Sequence, residues 1–245
     1  MQPRRAIVTG AASGIGRAVA ERLLRDGTHV LAVDRDAAGL ETLTAANCNR
    51  HVADLADHDQ RLTLAARTRG YDYLVNSAGV IVLKPIAEVT LADWRHVQTV
   101  NAEATFFLCQ QIGPHLRPGG AIVNLSSSSA KLANTTEVAA YAASKTTVLS
   151  ITRSFAHAFA AIPIRVNAVC PGIIDTPMQD AVVARVAAAR GMSTADFIAA
   201  RHKAVPLGRT GTAAECAGTI AFLLSDDAAY MTGQAVNVTG GMVTW

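Results

Sequence analysis

Residues 4–16 read Arg4-Arg5-Ala6-Ile7-Val8-Thr9-Gly10-Ala11-Ala12-Ser13-Gly14-Ile15-Gly16. The apolar run predicts a strand, and a helix predicted over Gly14–Asp26 begins inside the glycine-rich turn that follows it. Glycines let the backbone turn tightly, and the helix N-terminus offers free N–H groups with partial positive charge. This strand–turn–helix order is typical of a site for the pyrophosphate of a dinucleotide.

Short apolar strands and longer amphipathic helices alternate along the rest of the chain. The further predicted helices are Ala37–Ala46, Asp57–Arg69, Thr90 to about Ile112, Val138–Ala161, two short helices in an insertion over residues 175–205, and Thr212–Leu224. The alternation predicts an α/β fold, a doubly wound Rossmann-type domain with a seven-stranded parallel sheet flanked by helices. We expect all 245 residues to form one domain, with ligands at the carboxyl ends of the strands.

Composition excludes several other classes of protein. Only 17% of the residues are charged, the net charge is +3, and no basic run suggests nucleic-acid binding. No apolar stretch is long enough to span a bilayer, and no apolar leader precedes the glycine turn, so we expect a cytoplasmic protein without membrane contact. The four cysteines and seven histidines show no metal-ligand spacing, and we expect no metal site.

An acidic residue ends the second predicted strand. Asp34 lies 18 residues after Gly16, close to the spacing of the carboxylate that binds the adenosine ribose hydroxyls. A carboxylate at this position repels a 2′-phosphate, which favours NAD over NADP. Arg35 is adjacent, and we interpret it as facing solvent or lying near the adenine ring.

Tyr141 and Lys145 lie four positions apart in a predicted helix and therefore share one face. A phenol has an ordinary pKa near 10, and a nearby ammonium group favours the phenolate. Tyr141 would then remove a proton from an alcohol while a hydride leaves the same carbon. The simpler alternative is an i,i+4 pair on a solvated helix face.

These motifs, in this order, resemble the short-chain dehydrogenase/reductase family over nearly the whole chain. Residues 9–16 match the family pattern T-G-x-x-x-G-x-G, and residues 141–145 match Y-x-x-x-K. Residues 76–79 resemble the N-N-A-G segment, which mainly stabilises the central sheet, with a departure at Ser77.

The resemblance also assigns site residues. It implies a cofactor site formed by Gly10, Ser13, Gly14, Ile15, Gly16, Asp34, Asp54, Leu55, Asn76, Ala78, Gly79, Tyr141, Lys145, Pro171, Gly172, Ile174 and Thr176. It implies a catalytic set of Asn101, Ser127, Tyr141 and Lys145. In that set Lys145 also holds the nicotinamide ribose, and Asn101 kinks its helix and holds a water linked to Lys145.

Four serines in a row compete for one catalytic role. Counting three residues on from Asn124 selects Ser127, whereas counting 13 back from Tyr141 selects Ser128. We favour Ser127, because a one-residue insertion is easier to accommodate in the loop before the helix than in a strand. Its hydroxyl would donate a hydrogen bond to the substrate oxygen.

Three functions remain open. The first is an NAD-dependent dehydrogenase of a small secondary alcohol, such as a polyol or diol, because the tail MTGQAVNVTGG resembles tails of such enzymes. The second is a 3-oxoacyl-thioester reductase, and the third is a non-catalytic NAD-binding protein. Substrate choice should lie in residues 131–138, polar at Lys131 and at 134–137, and in the insertion, whose near-balanced charge does not demand an anionic substrate.

We expect a homotetramer. The family resemblance implies it, and the helices after Asn101 and after Lys145 carry more apolar residues than one sheet-facing stripe requires. The final predicted strand, Gln234–Val238, would be a sheet edge that needs cover. Trp245 ends the chain as a candidate interface or active-site-wall anchor.

Overall fold

The centre of the fold is a seven-stranded parallel sheet. The structure is a computed structural model that describes residues 3–133 and 135–245. The strands are β1 (Arg5–Thr9), β2 (His29–Asp34), β3 (Cys48–Val52), β4 (Tyr73–Asn76), β5 (Ala121–Leu125), β6 (Arg165–Pro171), β7 (Ile174–Asp175), β8 (Gly211–Thr212) and β9 (Ala235–Val238). The sheet order is β3-β2-β1-β4-β5-β6-β9, and β7 pairs separately with β8.

Helices cover both faces of this sheet. They are α1 (Gly14–Arg25), α2 (Ala37–Glu41), α3 (His58–Ala66), α4 (Leu91–Gln98), α5 (Ala104–Ile112), α6 (Ala139–Phe159), α7 (Pro177–Ala189), α8 (Thr194–Lys203) and α9 (Ala213–Leu224). No helix among the described residues is long and apolar enough to cross a membrane.

The alternation of side chains along each strand divides the core into two layers. In β1, Ala6 and Val8 pack with α1 and α9, whereas Ile7 packs with α3, α5 and α6 on the opposite face. Successive strand residues point to opposite faces, so a strand covered on both sides must be apolar throughout. This requirement explains the uninterrupted apolar run that precedes the glycine turn.

The predicted sheet and helix order are confirmed, and three details differ. The second helix ends at Glu41 rather than at Ala46. The Thr42 hydroxyl donates to the Gly39 carbonyl at 2.7 Å and so competes with the backbone N–H groups that would continue the helix. The third spans His58–Ala66 rather than 57–69. The long predicted helix from Thr90 is present, but a π-helical turn over Thr99–Glu103 separates α4 from α5.

The predicted insertion over residues 175–205 contains two helices, α7 and α8, as expected. The short β7–β8 pairing at its margin was not predicted, because two-residue strands give no periodic pattern. Helix α7 begins directly after β7, so the insertion lies beside the carboxyl ends of the strands. The insertion is therefore placed to contribute to the functional site.

Candidate active site

A cavity of about 550 Å³ opens at the carboxyl edge of the sheet. Of the residues expected in the site, its walls include Gly10, Ser13, Gly14, Ile15, Gly16, Asp34, Asp54, Leu55, Ala78, Gly79, Ser127, Tyr141, Lys145, Pro171, Gly172, Ile174 and Thr176. Residues far apart in the sequence thus meet around one space. Asn76 and Asn101 are not in the cavity wall.

The glycine turn is packed too closely to accept side chains. A Cβ atom on Gly16 would lie 2.1 Å from the Gly10 carbonyl oxygen, and one on Gly10 would lie 2.8 Å from the Ala78 Cα. Gly10 also has φ +69°, which favours glycine. Ser13, the N-cap of α1, lines the cavity and makes no side-chain capping bond, so it leaves the first N–H groups of the helix uncapped, as suits a phosphate site.

The Asp34 carboxylate is held at the other end of this turn. It accepts hydrogen bonds from the backbone N–H of Ala12 and of Asp36, both at 3.0 Å. Asp54 and Leu55, which follow β3, line the cavity nearby. The glycine cradle and these acidic groups fit the phosphates and the adenosine half of a nicotinamide dinucleotide.

Lys145 is buried at the other end of the cavity, with 4% of its surface exposed. Its Nζ donates to the Leu125 carbonyl at 2.8 Å and lies 5.7 Å from the centre of the Tyr141 ring. A Cβ on Gly79 would lie 3.4 Å from this Nζ, so the loop after β4 also approaches the ammonium group.

Burial shifts the pKa values of both Tyr141 and Lys145. Burial raises the pKa of Tyr141, and a hydrogen bond with the Ser127 hydroxyl partly opposes this shift. Burial also lowers the pKa of Lys145 to about 8. Burial is the largest influence on the pKa of Tyr141, and the Lys145 ammonium group donates to the Leu125 carbonyl, so the expectation that Lys145 lowers this pKa stays a prediction.

The four serines differ in their hydrogen-bond partners. Ser126 Oγ donates to the Lys145 carbonyl at 2.7 Å, which joins β5 to α6. Ser127 Oγ hydrogen-bonds to Tyr141 and accepts from the Ser129 backbone N–H at 3.1 Å. Ser128 lines the cavity as the first residue of a short 3₁₀ turn. Among these hydroxyls, the contact with Tyr141 belongs to Ser127.

Asn101 lies behind the cavity wall, in the π-helical turn, and is fully buried. Its Nδ2 donates to the Val80 carbonyl and to Ser144 Oγ, both at 2.9 Å, and its Oδ1 accepts from the Val80 backbone N–H at 2.8 Å. The side chain therefore ties the loop after β4 to α6. Asn101 lies in a π-helical turn, and the expected kink and water relay both stay predictions.

Asn76 also lies outside the cavity wall, which corrects the expectation that it contacts the cofactor. It is buried at the end of β4, where its Nδ2 donates to Asn124 Oδ1 at 2.8 Å. This bond ties β4 to β5, in agreement with the sheet-stabilising role expected of its segment.

Several wall residues belong to no motif, although most of them lie in the two loops predicted to determine substrate choice. Leu132 and Val138 come from the loop before α6, and Met242 comes from the tail. The insertion adds five more, Pro177, Met178, Gln179, Val182 and Arg201. No motif marks them, because they meet only where separate loops converge; the one usable signal was that the insertion lies at the strand ends. Asn134 of the predicted substrate loop lies outside the described residues.

No metal centre is present in the part of the chain that the structure describes: no group of three His, Cys, Asp or Glu side chains is placed to hold an ion. All four cysteines are free and buried.

Known proteins resemble the chain over almost all of its length. A family model described as enoyl-(acyl carrier protein) reductase matches residues 10–243. Galactitol 2-dehydrogenase (L-tagatose-forming) of Cereibacter sphaeroides is 35% identical over 250 residues, which cover 98% of this chain and 95% of that protein. The 3-oxoacyl-acyl-carrier-protein reductase FabG of Thermotoga maritima is 33% identical over 252 residues, 97% of this chain and 96% of that one.

A solved structure extends the likeness to the whole fold. The crystal structure of an actinorhodin polyketide ketoreductase with NADPH superposes with a TM-score of 0.92, at 31% identity, over 99% of this chain and 98% of that chain. The glycine turn, the Tyr141–Lys145 pair and the matched length lead to the same conclusion. The chain belongs to the short-chain dehydrogenase/reductase family of oxidoreductases.

Proposed function

We propose that the chain is an NAD(H)-dependent enzyme that moves a hydride between the cofactor and a small hydroxylated secondary alcohol or its ketone, such as a polyol or a diol. The observation that carries this proposal is the hydrogen-bonded Tyr141–Ser127 pair, which faces the same cavity as the glycine turn. When bound there, the nicotinamide ring supplies the hydride acceptor or donor.

The protein's own groups handle the proton. In alcohol oxidation the Tyr141 phenolate oxygen would take the O–H proton while the C–O bond becomes a carbonyl, and a bound NAD⁺ would accept the C–H hydrogen as hydride. Ser127 donates a hydrogen bond to the substrate oxygen and stabilises its developing charge. Burial raises the pKa of Tyr141, and the positive charges of Lys145 and of a bound NAD⁺ would favour the phenolate.

The comparisons support a hydroxylated substrate and also leave one rival. The galactitol dehydrogenase supports a polyol, whereas the Thermotoga reductase favours a 3-oxoacyl thioester. Asp34 argues against the thioester, because biosynthetic reductions usually draw on NADPH. A non-catalytic role is disfavoured because Tyr141 and Lys145 are both present and both line the cavity.

NAD is the proposed cofactor because of how Asp34 is held. Its two backbone hydrogen bonds fix the carboxylate beside the cavity, so it repels a 2′-phosphate and accepts from ribose hydroxyls. Arg35 also lines the cavity and is exposed, which makes it the group that would favour NADP. Because the similar ketoreductase structure contains NADPH, the preference of this chain for NAD has to be measured.

Replacing Tyr141 by Phe should reduce turnover by at least about 100-fold, because it removes the proton-transferring hydroxyl. NADH binding, followed by fluorescence, should change little.

Ser127→Ala should lower kcat by roughly 100-fold, the usual loss for one oxyanion donor. Ser128→Ala is the matched control, and a larger loss in Ser128→Ala than in Ser127→Ala would contradict the assignment.

The buried Lys145 should lower the free energy of unfolding by an amount that depends on pH. Burial lowers its pKa to about 8 in the folded chain, against an ordinary value of 10.5 for a lysine. Between these pH values the unfolded chain binds more protons, so this group makes the folded protein more stable as the pH rises. Urea unfolding of the ligand-free protein should show wild type gaining about 3 kcal/mol over Lys145→Met from pH 7.5 to pH 10.5.

The control for this experiment is Lys203→Met, which removes an exposed lysine of α8. Its stability difference from wild type should stay constant over the same pH range. If the free energies of unfolding of wild type and Lys145→Met change with pH in parallel, the buried position of the ammonium group is refuted.

The cofactor proposal predicts that kcat/KM is at least tenfold higher with NAD than with NADP. Tenfold corresponds to about 1.4 kcal/mol, which carboxylate–phosphate repulsion in a partly buried site can supply. Asp34→Ala should lower the ratio of kcat/KM with NAD to kcat/KM with NADP. Arg35→Ala should leave turnover with NAD unchanged. Equal kcat/KM values in the wild-type enzyme would refute NAD preference.

We also propose a homotetramer, on a smaller apolar surface than the sequence suggested. The expected apolar residues of α6 are buried within the chain, whereas Phe106 of α5 is 38% and Trp245 is 76% exposed. Strand β9 is a sheet edge, as expected. Light scattering should give a mass near four times 25.6 kDa, and a mass near 25.6 kDa would contradict the assembly. Deleting residues 242–245 tests the part played by the tail.

A further inference from the structure

The charged groups of the cavity wall differ between its adenosine end and the rest. The acidic side chains, Asp34, Asp36 and Asp54, lie at or after the ends of β2 and β3 at the adenosine end, together with Arg35. Elsewhere in the described wall the charged side chains are Lys145 and Arg201, and both are cationic. Beyond the adenosine end, the charged groups of the described wall are therefore all positive.

Arg201 lies in the last turn of α8 and is partly buried in the cavity wall. Its Nη2 donates to Gln179 Oε1 at 2.5 Å, and its guanidinium carbon lies 5.7 Å from the centre of the Phe197 ring. No carboxylate among the described residues lies within 4.0 Å of it. Burial lowers the pKa of Arg201, and no acidic neighbour opposes that shift.

Arg190 provides a comparison within the same insertion. Its guanidinium carbon also contacts the Phe197 ring, at 5.6 Å, but the side chain is exposed and outside the cavity wall. Arg190 is paired with Glu137, at 3.3 Å. Among the described residues, a carboxylate thus pairs with the exposed arginine and none with the partly buried one. A partly buried charge without a counter-ion loses part of its hydration with no partner in exchange, which is typical of a group that binds an anionic ligand.

We propose that Arg201, together with Gln179, binds a carboxylate carried by the substrate, so that the enzyme interconverts a hydroxy acid and the corresponding oxo acid. The proposal rests on the hydride-transfer function above and specifies its substrate. A guanidinium group presents two parallel N–H donors that match the two oxygens of a carboxylate. The Gln179 amide, already bonded to Arg201 through Oε1, places further N–H donors on the same wall.

The first test compares substrates that differ only at the charged end. Gluconate and glucitol form one pair, and 3-hydroxybutyrate and 1,3-butanediol form another, since each pair exchanges a carboxylate for a CH₂OH group. With NAD⁺, the wild-type enzyme should favour the acid of at least one pair by tenfold or more in kcat/KM. Glycerol 3-phosphate against glycerol tests phosphate as the anion, and preference for the phosphate over every carboxylate would overturn the assignment.

The second test uses variants. Arg201→Gln should raise KM for the preferred acid 10-fold to 100-fold, change kcat less, and leave kcat/KM for the neutral partner within about twofold, because binding of a remote group is uniform between ground and transition states. Arg190→Gln is the matched control, since it removes a cation from the same Phe197 ring without touching the cavity. If Arg201 only packs on Phe197, both variants will affect acid and neutral substrates alike, and the proposal is wrong.

The outcomes separate this inference from the function on which it rests. Turnover of neutral alcohols with NAD⁺ and no preference for acids would leave the dehydrogenase function intact and refute the carboxylate subsite. Absence of NAD(H)-linked turnover with every alcohol and ketone of the panel would refute the function itself. Retained NADH binding by Arg201→Gln, measured by fluorescence, shows that this variant is folded.

Discussion

The parallel register of the sheet aligns the residues on which the cavity depends. Thr9 of β1 is the register partner of Asn76 in β4, and Asn76 is the partner of Asn124 in β5. Thr9 Oγ1 accepts the backbone N–H groups of Ser77 and Ala78 at 3.1 and 3.2 Å, and Asn76 donates to Asn124. This row of polar groups at the strand ends fixes the loops that form the walls.

From that row, the two halves of the site extend in opposite directions. The glycine turn follows Thr9 and packs against Ala78, while Ser127 and Leu125 at the end of β5 contact Tyr141 and Lys145 of α6. Asn101 fastens the loop after β4 to α6 from behind. The three acids of the wall lie at or after the ends of β2 and β3, whereas Lys145 and Arg201 come from α6 and α8.

Local motifs made much of this site predictable from sequence. The glycine spacing, the acid at the end of β2 and the Tyr141–Lys145 interval each depend on residues close together in the chain, and the structure brings all of them to one cavity. The pKa of Tyr141 was not predictable, because spacing places a lysine nearby but says nothing of desolvation. The position of Arg201 was not predictable either. The near-balanced charge of the insertion does not tell which arginine faces the cavity without an acidic partner among the described residues.

The most direct test of the account is to follow the transferred hydrogen. Glucitol, gluconate and 2,3-butanediol deuterated at their carbinol carbons would be incubated with the enzyme and NAD⁺, and the NADH formed would be examined by NMR. The account predicts that deuterium from an oxidised substrate appears at C4 of the nicotinamide ring. NADH formed without deuterium at C4, or no NADH from any of the three, would contradict hydride transfer in this cavity.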